Sequence, residues 1–158
     1  MPSYKAPVDD VLFVLKDVLR WERHSNLAGF ADATPDLLEA ILLEGAKLCE
    51  EVIQPLNVVG DTEGCLRAQD GSVTTPTGFK AAYDAYRNGG WMGISAPEEY
   101  GGQGLPLTVN TVMQEFLSSA NLAFGMYPGL TQGAIAALLV HGSDEQKRTY
   151  LPKMIEGV

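Results

Sequence analysis

The segment from Trp91 to Leu105 constrains the fold more than any other part of the sequence. It cannot form an α-helix, because the pair Gly101-Gly102 favours backbone conformations at positive φ, and Pro97 fixes φ and lacks a backbone donor. The same segment carries four large apolar anchors: Trp91, Ile94, Tyr100 and Leu105. Glycines combined with such anchors are typical of a loop that its neighbours hold in one shape, and on pattern alone this loop is a structural connector.

The chain before this loop predicts helices separated by irregular segments. Apolar residues from Val8 to Trp21 recur at spacings of three and four, which predicts one amphipathic helix. Residues 26–33 are predicted to form a linker. A second, longer helix should run from Pro35 to Leu56 behind an N-cap at Thr34, and Pro55 should kink or end it.

Between this helix and the loop, we expect one irregular region and one further helix. Residues 58–73 are polar and glycine-rich, which predicts an excursion with a short hairpin around Asp70-Gly71. Thr75-Pro76 repeats the cap-plus-proline pattern and predicts the start of a third helix, which Gly89-Gly90 should stop. No run of four or more residues alternates strictly with β-branched types, so no larger sheet is expected.

After the loop, the sequence predicts a succession of helices. Thr108 should cap a fourth helix, which lasts until a break at residues 121–129. Apolar residues from Leu130 to His141 predict the next helix, and the capping-box spacing of Ser143 and Gln146 predicts the start of the last one. The expected fold class is therefore all-α, an up-and-down bundle of five to six helices with one long Gly-rich loop.

Length, composition and charge limit the possible functions. The 158 residues are 46% apolar and 20% charged, which is typical of one globular domain, and no apolar run approaches the roughly 20 residues of a membrane span. The net charge of −9 argues against a nucleic acid partner, and against this chain alone gripping the phosphates of CoA or of a dinucleotide. With no secretory signal in the sequence, the expected location is the cytoplasm.

The carboxylates do not form a recognisable catalytic pair. Glu98 and Glu99 are adjacent loop residues that point in different directions, so they are predicted to be solvated charges. Glu115 lies beside an apolar face, where it is either a helix-flank residue or a buried, partnered acid. No glycine-rich phosphate loop follows a strand.

The thiols and imidazoles do not suggest a metal site. Cys49 and Cys65 are too few for a disulfide framework, and Cys49 lies on an apolar helical stripe that predicts a core position. His24 and His141 have no Cys, His or Asp at the spacing of a metal ligand. The residues alone therefore indicate no active site.

Three stretches of the sequence resemble the acyl-CoA dehydrogenase family. Residues 96–104, Ala-Pro-Glu-Glu-Tyr-Gly-Gly-Gln-Gly, preceded by Trp91-x-Gly93, resemble the signature loop of the family's N-terminal helical domain. Residues 141–153 resemble the helix that leads into the family's β-domain. Residues 2–10 resemble the extra N-terminal segment of the longer bacterial branch, which includes the methylmercaptopropionyl-CoA dehydrogenases.

This resemblance implies a domain plan. Residues 1–33 would form an N-terminal extension with one amphipathic helix, and residues 34–158 would be the N-terminal α-domain, with the β-domain and the C-terminal domain absent. In this family the catalytic base is a glutamate of the C-terminal domain, and FAD is held chiefly by the two absent domains. No catalytic, cofactor-binding or metal-binding residue is therefore assigned to this chain, which is expected to be inactive and colourless alone, without bound FAD.

For the intact protein, the resemblance implies FAD-dependent α,β-dehydrogenation of an acyl-CoA thioester to a 2-enoyl-CoA. The expected partners are the acyl-CoA substrate and the missing domains, with no nucleic acid and no membrane, and the intact enzyme is expected to be a homo-oligomer. A rival hypothesis is a non-catalytic helical interaction module derived from such a domain, with exposed apolar stripes as its partner surface.

The resemblance places one wall of the acyl pocket at residues 124–130. Met126, Tyr127, Gly129 and Leu130 are the predicted substrate-contacting residues, and methionine and aromatic side chains beside glycines suit an adaptable apolar cavity. The sequence leaves open an alternative in which Met126, Tyr127 and Leu130 are ordinary core residues.

Overall fold

The structure is a computed structural model that describes residues 3–158. Met1 and Pro2, at the start of the predicted N-terminal extension, lie outside the described residues. The described part contains six α-helices and one two-stranded hairpin, so the all-α prediction is confirmed. The elements are α1 Val8–Phe13, α2 Pro35–Lys47, α3 Leu56–Glu63, β1 Leu66–Arg67, β2 Val73–Thr74, α4 Phe79–Asn88, α5 Leu107–His141 and α6 Asp144–Glu156.

The N-terminal helix is confirmed, but it ends earlier and less regularly than predicted. α1 continues directly into a π-helical segment, Val14–Val18, and the chain then turns through Arg20 at a φ of 54°. A short 3₁₀ turn, Trp21–His24, follows. Trp21 is buried, and its indole Nε1 donates to the carbonyl oxygen of Ala33 at 2.7 Å, which fixes the end of the predicted linker.

The start of α2 is confirmed in detail. Pro35 occupies the first helical position, and Thr34 Oγ1 accepts from the backbone N–H of Leu37 at 3.3 Å. The helix continues as a π-helical segment, Leu48–Ile53. Gly45 lies against Met113 of α5 so closely that a Cβ at this position would collide with the methionine sulfur, so the Met113 side chain packs directly on the backbone of α2.

The prediction that residues 58–73 are wholly irregular is wrong. Pro55 adopts helical φ and ψ, and α3 follows it at once. α3 packs on α5, and its Gly60 leaves room for the ring of Phe79, so tertiary contacts override the weak local signal. The short hairpin is confirmed, because β1 and β2 pair antiparallel around a turn at Asp70-Gly71.

The third predicted helix begins later than Thr75-Pro76. α4 starts at Phe79, after Gly78 at a φ of 86°, a left-handed conformation that no helix interior contains. The backbone N–H of Thr77 is bound by the carboxylate of Glu63 at 2.7 Å, so this turn is tied to α3. The predicted stop is confirmed, since Gly90 has a φ of 75° directly after α4.

The loop at residues 91–105 is ordered, as predicted, and contains two 3₁₀ turns rather than any α-helix. Backbone N–H groups of Gln103 and Gly104 donate to Gly93 and Ala96 at 2.9 Å, so the loop folds back on itself. Gly102 lies against the backbone of Ala96, where a Cβ would overlap the carbonyl group. The loop thereby buries part of its apolar content: Met92, Ile94, Ala96 and Leu105.

The two helices predicted between the loop and α6 form one helix, α5, with a kink. α5 begins at Leu107 after extended Pro106, so the predicted cap at Thr108 is wrong. Only Asn121 leaves the helical region, with φ −161° and ψ 95°, whereas residues 122–129 are helical despite Pro128. The capping box of Ser143 and Gln146 at the start of α6 is confirmed.

Candidate functional site

The kink at Asn121 divides α5 into two halves with different surroundings. Asn121 is buried, and its side-chain oxygen accepts from the backbone N–H of Phe124 at 3.1 Å, which caps the second half as an N-cap residue would. Its amide nitrogen lies 3.4 Å from the carbonyl oxygen of Ile53. The side chain therefore ends one helical segment, starts the next and ties both to the π-helical segment after α2.

The second half of α5 is held to the fold along one side only. Phe124, Pro128 and Ile135 are buried on that side. The amide of Gln132 donates to the carbonyl oxygen of Met92 in the loop. Ile135 also packs with Leu151 of α6, in a small core cluster separate from the main one.

The opposite side of this segment is exposed and apolar. We call it the outer face of α5. Spacings of three and four residues place its members together on one side of the helix. They are Leu122, Met126, Gly129, Leu130, Gly133 and Ala137.

Three of the four predicted pocket residues lie on this face. Met126 is 62% exposed and Leu130 is 79% exposed. Gly129 is exposed, and no atom would lie within 4 Å of a Cβ at its position. Such exposure does not fit the alternative that Met126 and Leu130 are ordinary core, whereas their role as a pocket wall stays a prediction.

Tyr127, the fourth predicted residue, lies on a different side of the helix. Its ring centroid is 6.5 Å from that of Phe79 and 6.3 Å from that of Phe124. The three rings line an open cleft of about 450 Å³ together with Tyr83 and Thr131. The structure therefore divides the predicted wall between the outer face and an aromatic cleft.

Charge is absent from this part of the chain. Residues 116–140 contain no Asp, Glu, Lys or Arg. Among the described helices, α5 is long and apolar enough to cross a membrane by length and composition, with a window of mean hydropathy 1.3 that is 22% buried. The expectation that no apolar run approaches the length of a membrane span is therefore not met in α5, although core helices of soluble proteins pass the same test of length and composition.

The three glutamates considered as possible acids or bases are exposed to solvent. Glu98 and Glu99 are exposed, which confirms that they are solvated loop charges. Glu115 is also exposed, so it is a helix-flank residue rather than a buried acid. None of the three lies on the second half of α5.

The cysteines and histidines do not form a reactive or metal-binding group among the described residues. Cys49 is fully buried, as predicted, and burial raises the pKa of its thiol to about 12, which leaves it protonated and unreactive. Cys65 is exposed. His24 lies with its ring nitrogen 3.1 Å from the carbonyl oxygen of Leu19, and His141 ends α5. Across residues 3–158, no three His, Cys, Asp or Glu side chains gather as a metal site would require.

The sequence analysis did not identify two residues that hold the second half of α5 in place. Asn121 and Gln132 set the direction and attachment of the second half of α5, but neither belongs to a motif. An asparagine between two helical patterns is the signal that could have found the cap, since asparagine competes with the backbone for hydrogen bonds. Nothing in the sequence pairs Gln132 with Met92, which lies 40 residues away.

The sequence that forms the glycine-rich loop, α5 and α6 lies within the match to a protein-family model. The model described as acyl-CoA dehydrogenase, N-terminal domain, matches residues 46–158. The chain therefore belongs to the acyl-CoA dehydrogenase family.

Individual relatives agree with this assignment. The chain is 42% identical over 98% of its length to 3-methylmercaptopropionyl-CoA dehydrogenase of Ruegeria pomeroyi, covering 26% of that protein. It is 30% identical over 94% of its length to a broad-specificity linear acyl-CoA dehydrogenase of Mycobacterium tuberculosis, covering 24% of it. A mitochondrial isovaleryl-CoA dehydrogenase of Solanum tuberosum is 42% identical over 67 residues, which are 42% of this chain and 16% of that protein. The chain thus spans about a quarter of the length of the first two relatives.

Proposed function

We propose that this chain is the N-terminal domain of an FAD-dependent acyl-CoA dehydrogenase, and that the outer face of α5 forms one wall of the acyl pocket. The intact protein would convert an acyl-CoA thioester to a 2-enoyl-CoA. The observation that carries the proposal is an exposed, charge-free helix face in a chain of this family. Contiguous apolar surface of this kind marks a binding site more often than ordinary protein surface.

The composition of the face suits a hydrocarbon chain. Leu122, Met126 and Leu130 supply apolar contact, and each methylene of a bound chain that leaves water contributes about 0.8 kcal/mol. Gly129 and Gly133 have open space where a side chain would begin, so a ligand can approach the helix backbone there. A face without hydrogen-bonding groups can hold chains of different length, because methylenes bring no polar partners to satisfy.

The cleft between the loop and α6 does not fit the phosphates of FAD. This cleft is lined by Arg87 and Glu156, so its one positive side chain is offset by a negative one. The side-chain amide of Gln103 already donates to the carbonyl oxygen of Gly90. FAD is the hydride acceptor in this class of reaction, and in this proposal other parts of the intact protein hold it. We accordingly expect residues 1–158 alone to bind no flavin and to show no turnover with an artificial electron acceptor.

The pocket-wall proposal is tested by filling the open space at Gly129 in the intact enzyme. Gly129→Leu should lower kcat/KM for a long-chain acyl-CoA by about tenfold or more, since one excess group in an apolar pocket can cost that much, while a short-chain substrate is less affected. The measurement is steady-state turnover across a series of saturated acyl-CoA chain lengths.

Two variants control this test. Gly129→Ala adds one methyl group at the same position and should change the chain-length profile only slightly. Thr149→Leu adds apolar bulk at an exposed position of α6 and should leave the profile unchanged. Equal losses for all chain lengths in Gly129→Leu would contradict the wall, and an intact protein without flavin or turnover would favour the non-catalytic module instead.

A further inference from the structure

The N-terminal extension and the start of α2 lie outside the family model, which begins at residue 46. The extension is nevertheless firmly attached. Leu15 and Trp21 are each 3% exposed, and Lys16 Nζ lies 2.7 Å from a carboxylate oxygen of Glu39 on α2. The backbone N–H of Ala6 donates to a carboxylate oxygen of Glu50 at 2.9 Å.

The opposite side of this extension is apolar and uncovered. Phe13 is 60% exposed and Val18 is 59% exposed, and Val14 and Leu19 are exposed beside them. We call these four residues the extension face. The π-helical turn brings them together, because its wider turn places residues five apart above one another, as the backbone bond from Leu19 to Val14 shows.

A helix covered on one side only would carry polar residues here. An amphipathic surface helix places charged and polar side chains opposite its buried stripe, and this segment instead has apolar residues on both sides. Charges of both signs lie along it, at the exposed Asp9, Asp10, Asp17 and Arg20. The pattern fits a second apolar element that covers the extension face and leaves these charges at its edges.

The lengths of the relatives indicate where that element comes from. The two bacterial relatives that align through the extension are each about 600 residues long, since 155 aligned residues are 26% of one and 150 are 24% of the other. The plant relative, which aligns over less than half of this chain, is about 420 residues long, since 67 residues are 16% of it. Alignment over nearly the whole chain, extension included, therefore accompanies roughly 200 additional residues in the relatives.

We propose that the extension face is the docking site for the additional segment that the long relatives have and the short relative lacks, supplied by the same polypeptide. The inference rests on the proposed function, because it requires this chain to be the N-terminal part of a long enzyme. The docking element is an apolar helix or strand. It covers Phe13, Val14, Val18 and Leu19 in the intact protein.

Thiol labelling of the intact protein tests this docking directly. Val18→Cys places a thiol in the middle of the extension face, while the exposed native Cys65 serves as an internal reference and the buried Cys49 should not react. We expect N-ethylmaleimide to modify Val18→Cys at least tenfold more slowly than Cys65 in the intact enzyme. In a polypeptide shortened to the length of the plant relative, about 420 residues, the two rates should become similar.

A cross-link keeps the test decisive if the shortened polypeptide does not fold. A benzophenone maleimide attached to Val18→Cys in the intact enzyme should react with the additional segment, as mass spectrometry of the digest would show. Cross-links between two copies, or protection that disappears on dilution, would replace the proposal with a dimer contact. Rapid labelling in the intact enzyme, or protection that survives the shortening, would also overturn it.

The same samples separate this inference from the proposed function. Flavin absorbance and acyl-CoA turnover are measured on the Val18→Cys enzyme before labelling. An active flavoprotein whose Val18→Cys reacts as fast as Cys65 contradicts the docking alone. A protected Val18→Cys in a protein without flavin or turnover contradicts the dehydrogenase activity alone.

Discussion

The two halves of α5 use apolar residues in opposite ways. Between Leu107 and Ala120 the helix also carries Glu115, yet most of its apolar side chains are buried, and Phe116 and Leu117 have no exposed surface. Between Leu122 and His141 there is no acid, lysine or arginine, yet Met126, Leu130 and Val140 are exposed. The more apolar half is therefore the less buried one, which is the reverse of what a self-sufficient domain requires. The first half of α5 therefore stabilises the fold, whereas the second half leaves most of its apolar side chains in solvent.

The largest expected effect that tests this contrast is in the first half. Phe116→Ala should lower the free energy of unfolding by about 3–5 kcal/mol, because it removes a fully buried aromatic ring from the main core and leaves a cavity. Urea unfolding followed by circular dichroism measures the loss. If Phe116→Ala and Leu130→Ala destabilised the chain by the same amount, the contrast between the two halves would be wrong.

A smaller effect is expected at the junction. Asn121→Ala should cost about 1–2 kcal/mol, because it removes the oxygen that caps Phe124 while leaving the backbone kink. Asn121→Ser is the matched control, since its hydroxyl can still accept from a backbone N–H in the next turn. Hydrogen exchange of the amides after the kink should increase in the alanine variant more than in the serine variant; equal exchange would rule out a capping role.

The smallest effect on stability is expected on the outer face. Leu130→Ser should change the free energy of unfolding by less than about 0.5 kcal/mol, because the side chain is 79% exposed. It should nevertheless reduce self-association of the isolated chain, measured by sedimentation velocity, since it interrupts the apolar face. A loss of stability comparable with that of Asn121→Ala would mean that Leu130 packs within this chain.

Helix caps and helix ends were predictable from the sequence, because residues close together in the chain determine them. Thr34 with Pro35, and Ser143 with Gln146, are capping patterns that act over three residues, and both caps are present. Gly90 stops α4 because a glycine can take the left-handed conformation there. The burial of Cys49 followed from its place on an apolar stripe of the helix.

Features that depend on distant contacts were not predictable in this way. α3 forms beside Phe79 and α5, although its own sequence is polar and contains Gly60. Residues 122–129 were expected to be a break because they include Gly125, Pro128 and Gly129, yet the cap from Asn121 restarts the helix at once. Because a break was expected there, the candidate site was also mispredicted. In a helix, Tyr127 points to a different side from Met126 and Leu130, towards Phe79.

The close approach of Gly102 to Ala96 has a consequence for mutational tolerance. Any substitution of Gly102 places a Cβ against the backbone of Ala96, so the two parts of the loop that meet there must move apart. Met92 lies in that loop, and its carbonyl oxygen is the acceptor for Gln132. Substitution of this one half-buried glycine should therefore weaken the attachment of the second half of α5, and its effects should resemble those of substitutions at Gln132.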